Sequence, residues 1–314
     1  MVGVRAALSV AGQAAVIARF MGRSLLLLLL GVFACATSAI MIKASTTPPV
    51  VLTSVRLVIA SMLLTPLFWL EWRKHRALLP AGWWRRTTVP ALLLSAHFIS
   101  WTYGARMTVT AQASLIVNLS PVALPFFLHW LLRERINRRE IIGTALALAG
   151  VLVLSARDAF ARDGDLAGNA VCFGSMLVFA CYLSLGRLNR DVPSLWLYVV
   201  PIYWQAAAVC TVIALPRVGV MAGAPRREWL LIAGIAIVPT IIGHSLLNRS
   251  MRVLRGQLVS VCNIGQVVFA AAMAWMFFGE VPSPLFYGAA ALVVSGVALV
   301  VFSTPSPEFR VKDA

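Results

Sequence analysis

Ten long apolar runs constrain this chain more than any other feature. They fall at about 24 to 42, 50 to 70, 88 to 105, 111 to 132, 140 to 156, 168 to 186, 194 to 215, 229 to 248, 256 to 278 and 284 to 303, each closed by Arg, Pro or an Arg-containing loop. A helix of roughly 20 apolar residues crosses a hydrocarbon layer roughly 30 Å thick with every backbone amide bonded internally. Hydrophobic residues make up 60% of the chain and charged residues 12%, against about 45–50% and about 25% in soluble domains. Strands of an outer-membrane barrel would alternate polar and apolar residues, which these runs do not. The fold class expected is therefore all-α and integral to a membrane, with ten transmembrane helices.

The chain repeats itself. Gln112, Asn118, Glu134, Gly143 and Gly150 recur as Gln257, Asn263, Glu280, Gly288 and Gly296, at an offset of 145 or 146. Ala36 and Lys43 match Ala180 and Arg187, and Pro48-Pro49 before the second run matches Pro193 before the seventh. These matches divide the chain into a segment 1–23, a first five-helix repeat 24–157, a second 165–303 and a tail 304–314. Five is odd, so the halves enter the membrane from opposite sides and form an inverted repeat. The stretch Val32 to Cys35 resembles a lipoprotein cleavage box only faintly, and cleavage would delete one helix whose counterpart remains.

The net charge of +16 comes from 24 Arg and 3 Lys against 11 acids. With the N-terminus inside, 19 of the basic residues fall in cytoplasmic segments and 7 in external loops, with Arg56 left inside a span. The positive-inside rule thus puts both termini in the cytoplasm, and the charge reports anchoring rather than nucleic-acid binding; the expected location is a bacterial inner membrane. Five dispersed cysteines without a CxxC or Cys/His cluster support neither a disulfide framework nor a metal site, and no cofactor is implied.

All eleven acids lie at span ends, in loops or in tails, which disfavours a cation/proton antiporter built on a buried carboxylate. The intramembrane ionisable groups are Lys43, Arg56, His97, His129 and His244. Such a lining suits a carboxylate, a zwitterion or another anion; the alternative is that Lys43 and Arg56 snorkel and the histidines bond neighbouring helices. His97 with Trp101, and His244 with Asn248, are i, i+4 pairs on corresponding helices and candidates to bind a planar metabolite; for Trp101 a place in the interfacial belt is the other reading. Gln112, Asn118, Gln257, Asn263 and Gln266 each need a polar partner inside the membrane, either another helix or the substrate. Tyr182 is a further substrate-binding candidate.

The stretch from Trp101 to Leu154 resembles the second part of an EamA-type repeat from the drug/metabolite transporter superfamily. The resemblance rests on AQASL, on Leu119-Ser120-Pro121, on the helix-ending Glu134, and on Gly143 with Gly150. Arg56 after Pro49 resembles the second-span arginine of that family, whereas Ile264-Gly265-Gln266 stands in the second half where Leu-Ser-Pro is expected. The resemblance covers residues 24 to 303. It implies a central cavity and the movement of small metabolites, with exporters of amino acids, including aromatic ones, as the nearest functional analogy.

Symmetry suggests gates. Glu280 with Lys43, and Arg56 as a second partner, would close the outer face; Glu134 with Arg187 would close the inner one. Glu134 has its neighbours Arg133 and Arg135 as alternative partners. No phosphate-binding loop, metal motif or soluble catalytic domain points to an enzyme. The leading expectation is a metabolite exporter in membrane lipid, with a lipid flippase or a non-transporting scaffold as alternatives, and a homodimer remains open.

Overall fold

In the computed structural model, residues 10–79, 81–108, 113, 116–117, 119–159, 166–278 and 284–303 are described, and all regular structure among them is helical. The first half comprises α1 (Val10–Ala44), α2 (Pro49–His75), α3 (Thr88–Met107), α4 (Ser120–Leu132) and α5 (Arg138–Ala159). The second comprises α6 (Leu166–Leu188), α7 (Leu195–Ala214), α8 (Arg226–Ile235), α9 (Ser245–Val253), α10 (Gly256–Asn263), α11 (Gln266–Phe278) and α12 (Pro284–Ser303).

Local chemistry sets the boundaries. Pro49 opens α2 at a position where its missing N–H costs nothing. Asn137 and Glu140 bond each other's backbone amides at 2.8 Å, a reciprocal cap that starts α5. At the end of α4, Arg133 takes a left-handed conformation (φ 56°) and its N–H bonds the His129 carbonyl, a common helix terminator. Among the described residues helix α1 reaches back to Val10, beyond the apolar run that starts near residue 24, because the Ala-rich stretch before Arg19 favours helix.

Five rods among the described residues are long and apolar enough to cross a bilayer: Arg19–Ala44, Pro49–Leu78, Leu166–Leu188, Leu195–Gly223 and Arg226–Val253. Large apolar side chains such as Leu26, Phe126, Trp130 and Met276 lie fully outside the packed interior. A surface of that kind belongs in lipid, and the protein is a multi-pass helical membrane protein.

Two features of the rods bear on the site. Between α8 and α9 the segment Ala236–His244 is π-helical around Pro239, whose ring removes a backbone donor. The rod holds because the Thr240 hydroxyl donates to the Ile235 carbonyl and the Tyr203 hydroxyl to the Thr240 carbonyl. The fourth and ninth apolar runs are interrupted at matching places. Leu119 bonds back to Ile116 and Val122 to Leu119; Ile264 bonds back to Val261 and Val267 to Ile264, the same turns 145 residues on.

The packing pairs α2 with α7, α3 with α6, and α5 with α12, while α1 lies along the π-helical segment and α4 against α6. Helix α5 approaches α12 to backbone contact. A Cβ on Gly296 would lie 2.5 Å from the Gly143 carbonyl oxygen, and one on Gly143 would lie 2.7 Å from that of Gly296. Glycine is needed at both places for two helices to meet this closely in lipid.

Candidate functional site

A cavity of about 70 Å³ opens between the halves. Helix α1 lines it with Cys35 and Ala39, α3 with His97, Phe98 and Trp101, α6 with Phe179, and the π segment with Pro239 and His244. Val117, Asn263, Gln266 and Val267 complete it from the interrupted runs. Both helix breaks therefore meet at the cavity, the arrangement by which discontinuous helices form solute sites in transporters.

The two histidines face each other across the cavity, with ring centroids 6.2 Å apart. His97 stacks on Phe179 at 4.5 Å, and its Nδ1 lies 3.1 Å from the Ser175 carbonyl oxygen. The Ser175 hydroxyl lies 2.9 Å from the same nitrogen, so the ring is tied to α6 in either tautomer. The Ser175 hydroxyl donates to the His97 carbonyl and so locks α6 to α3. His244 meets the edges of Phe98 at 4.7 Å and Phe179 at 5.6 Å, and its Nδ1 is buried without a hydrogen-bond partner among the described residues.

Behind Phe98 sits Arg56. It is 1% exposed, its guanidinium lies 3.6 Å above the Phe98 ring, and its Nε and Nη1 make no hydrogen bond among the described residues. Such depth is incompatible with snorkelling to the surface.

At one end of the molecule Arg187 donates to Glu134 at 2.6 Å and to the carbonyls of Met251 and Leu254. Arg255 joins this cluster, 3.8 Å from Glu134 and 3.1 Å from the buried Glu140. The depression beside it is lined by Leu132, Glu134 and four arginines, Arg135, Arg187, Arg190 and Arg255. At the other end Arg106 donates to the carbonyls of Ile42, Ser45 and Thr47. There Glu228 accepts from the Ser45 and Thr47 hydroxyls and from the Thr46 and Thr47 amides.

Of the residues singled out in the sequence, His97, Trp101, His244, Asn263 and Gln266 line the cavity. Tyr182, Asn248 and Gln257 sit behind it in helix-to-helix bonds. The Asn248 side-chain amide donates to the Tyr182 hydroxyl at 2.7 Å and to the His244 carbonyl, and that of Gln257 donates to the Thr144 hydroxyl at 2.8 Å. Glu134 pairs with Arg187 and Arg255 rather than with Arg133 or Arg135. Lys43 is exposed near the end of α1, while Gln112, Asn118 and Glu280 lie outside the described residues. Phe98, Phe179 and the end-capping Arg106 and Arg252 escaped sequence reasoning. The repeat carried a signal for Phe179, which stands at the place of Cys35 one residue before the Ala36 and Ala180 match.

Comparison with known proteins bears on what this cavity serves. The model of the EamA-like transporter family matches twice, at residues 22–156 and 166–302. The pseudopaline exporter CntI from two strains of Pseudomonas aeruginosa is 26% identical over 226 and 228 residues, covering 68% of this chain and 76% of the exporter. The uncharacterized transporter YetK of Bacillus subtilis is 28% identical over 81 residues, or 26% of this chain and 24% of that protein. A crystal structure of a protein 19% identical superposes with a TM-score of 0.70 over 90% of this chain and 98% of that one, a likeness of fold.

Proposed function

We propose a function from one established premise: the chain belongs to the EamA-like transporter family. It is a membrane transporter, and our reading is that it exports small metabolites, amino acids or related zwitterions and anions. The architecture that goes with this reading is ten spans in two inverted five-helix halves, 24–157 and 165–303, with both termini in the cytoplasm of a bacterial inner membrane. Alternating access then follows from rocking one half against the other around the cavity. The observation that carries the reading is the cavity itself, where the facing histidines of corresponding helices and both helix breaks converge.

Three further features support it. The same turns recur 145 residues apart at the breaks. Four arginines against one carboxylate in the end depression favour the approach of anions or zwitterions. The similarity to exporters of a small molecule favours outward transport. In this reading Glu134 and Arg187 gate one end, and their repeat counterparts Glu280 and Lys43 gate the other.

Counterflow into proteoliposomes, with labelled amino acids, nucleosides, carboxylates and organic cations, tests this. Uptake of amino acids by the parent, lost on His97→Ala or Trp101→Ala, is the expected result. Uptake of organic cations alone overturns the substrate class, and no uptake of any compound overturns the exporter reading.

A further inference from the structure

We propose that Arg56 is the anion-recognising group of this transporter, pairing with the carboxylate of the solute, and that Phe98 is the side chain that moves aside to admit it. This deepens the exporter reading and rests on it. Arg56 is among the largest fully buried side chains of the described residues, and a guanidinium without a counter-ion among them is costly at that depth. The described carboxylates are engaged elsewhere: Glu71 with Lys74, Glu134 with Arg187, Glu140 with Arg255, Asp191 with Arg86, and Glu228 with Ser45 and Thr47. What holds Arg56 here is the face of Phe98, a cation–π contact that strengthens when desolvated.

Phe98 also lines the cavity and packs T-shaped with His244, so its ring lies between the guanidinium and the solute space. The cavity, at about 70 Å³, has room for only a few water molecules, so a metabolite enters only when a lining side chain moves. Rotation of Phe98 enlarges the space and uncovers Arg56 in one step, and the incoming carboxylate replaces the ring as the partner of the cation. His244 Nδ1, buried and without a hydrogen-bond partner among the described residues, provides a second polar contact for the same solute. The one permanent cation at this place, the Arg56 guanidinium, matches a single negative charge. That balance selects a monocarboxylate, or the carboxylate end of a zwitterion, over a phosphate dianion.

The experiment pairs each labelled L-amino acid and each aliphatic or aromatic monocarboxylate with its own carboxamide, in counterflow with the full chain. For compounds that the parent moves, the acid should be taken up about tenfold or more faster than the amide. Arg56→Gln should abolish that preference while retaining amide uptake, and Arg56→Lys should keep part of it. Phe98→Leu, which removes the ring from the guanidinium, should keep the preference and lower the acid concentration needed for half-maximal uptake. Equal uptake of acids and amides by the parent overturns the inference even if Arg56→Gln fails to fold, as does an acid preference that survives Arg56→Gln. A parent that moves no acid, amide or other compound overturns the exporter reading instead.

Discussion

The two ends of the molecule carry the same arginine latch beside a second tie of different chemistry. At the Lys43 end, Arg106 binds the Ser45 and Thr47 carbonyls; at the Arg187 end, Arg252 binds those of Arg190 and Val192. Donor and acceptors each shift by 145 or 146 residues, the offset of the repeat. In both, an arginine late in one span satisfies carbonyls just beyond the end of another, groups that a helix terminus leaves without intrahelical donors. The second component differs. Glu228, 2% exposed, binds amides and hydroxyls of the loop at residues 45–47, whereas the opposite loop is held by Arg86 on Asn189 and Asp191, an ion pair whose side chains are 39% and 61% exposed. Duplication thus keeps the place that must be tied down and leaves the tie free to change. A buried carboxylate on four donors is a stiff tie, and an exposed ion pair is a weak one.

Breaking the stiff tie should cost most. Glu228→Ala removes a charged acceptor from buried donors, and a loss of about 2–5 kcal/mol is expected in denaturant unfolding of the detergent-solubilised protein. A loss below that of Asp191→Ala would reverse the ranking of the two ends.

An intermediate effect is expected where the Arg187 end is closed by the Glu134 pair. Each of Glu134→Gln and Arg187→Gln should cost about 1–3 kcal/mol, and each should raise the labelling rate of a cysteine placed at Leu132, beside the depression. The double variant should lose less than the sum of the singles, because the two groups are in contact. Unchanged labelling in both singles would remove Glu134 and Arg187 from any gate.

The weak tie should give the smallest change. Arg86→Gln is expected to cost no more than about 1 kcal/mol, and less at high salt. The hydrogen bond and charge of Arg86 hold the Asp191 carboxyl below the usual carboxylate range. A depressed value lends stability above the ordinary pKa near ~4 and loses it as pH falls through the lowered one. Stability measured against pH should therefore show a shallow acid-side decline that Arg86→Gln flattens.

The sequence made the membrane class, the duplication and the kinship of Glu134 with Arg187 legible, because each is a matter of composition or spacing. His97 and His244 emerged for a related reason: polar groups on apolar helices are few and need partners. Tyr182, Asn248 and Gln257 carried the same signal, yet their bonds run between helices and away from the cavity. Which side a polar residue faces depends on the rotation of its helix, and periodicity was too weak in these uniformly apolar runs to set that rotation. Phe98 and Phe179 were invisible for the converse reason, since a phenylalanine in an apolar helix is ordinary packing until a cation or an imidazole is seen against its ring.

By itself the sequence determined that the chain must be helical and lie in lipid, because unbroken apolar runs of this length leave no other way to satisfy their amides. It also determined that the chain is two copies of one plan, since offsets of 145 and 146 recur along its length. Only the tertiary structure decided that the two helix breaks and the two histidines meet at one cavity, that Arg56 lies behind Phe98 without a counter-ion among the described residues, and that beside the matching arginine latches the second ties at the two ends, Glu228 and Arg86, carry opposite charges. Those outcomes depend on how helices rotate and how closely they approach one another, which packing between distant segments sets and local sequence does not.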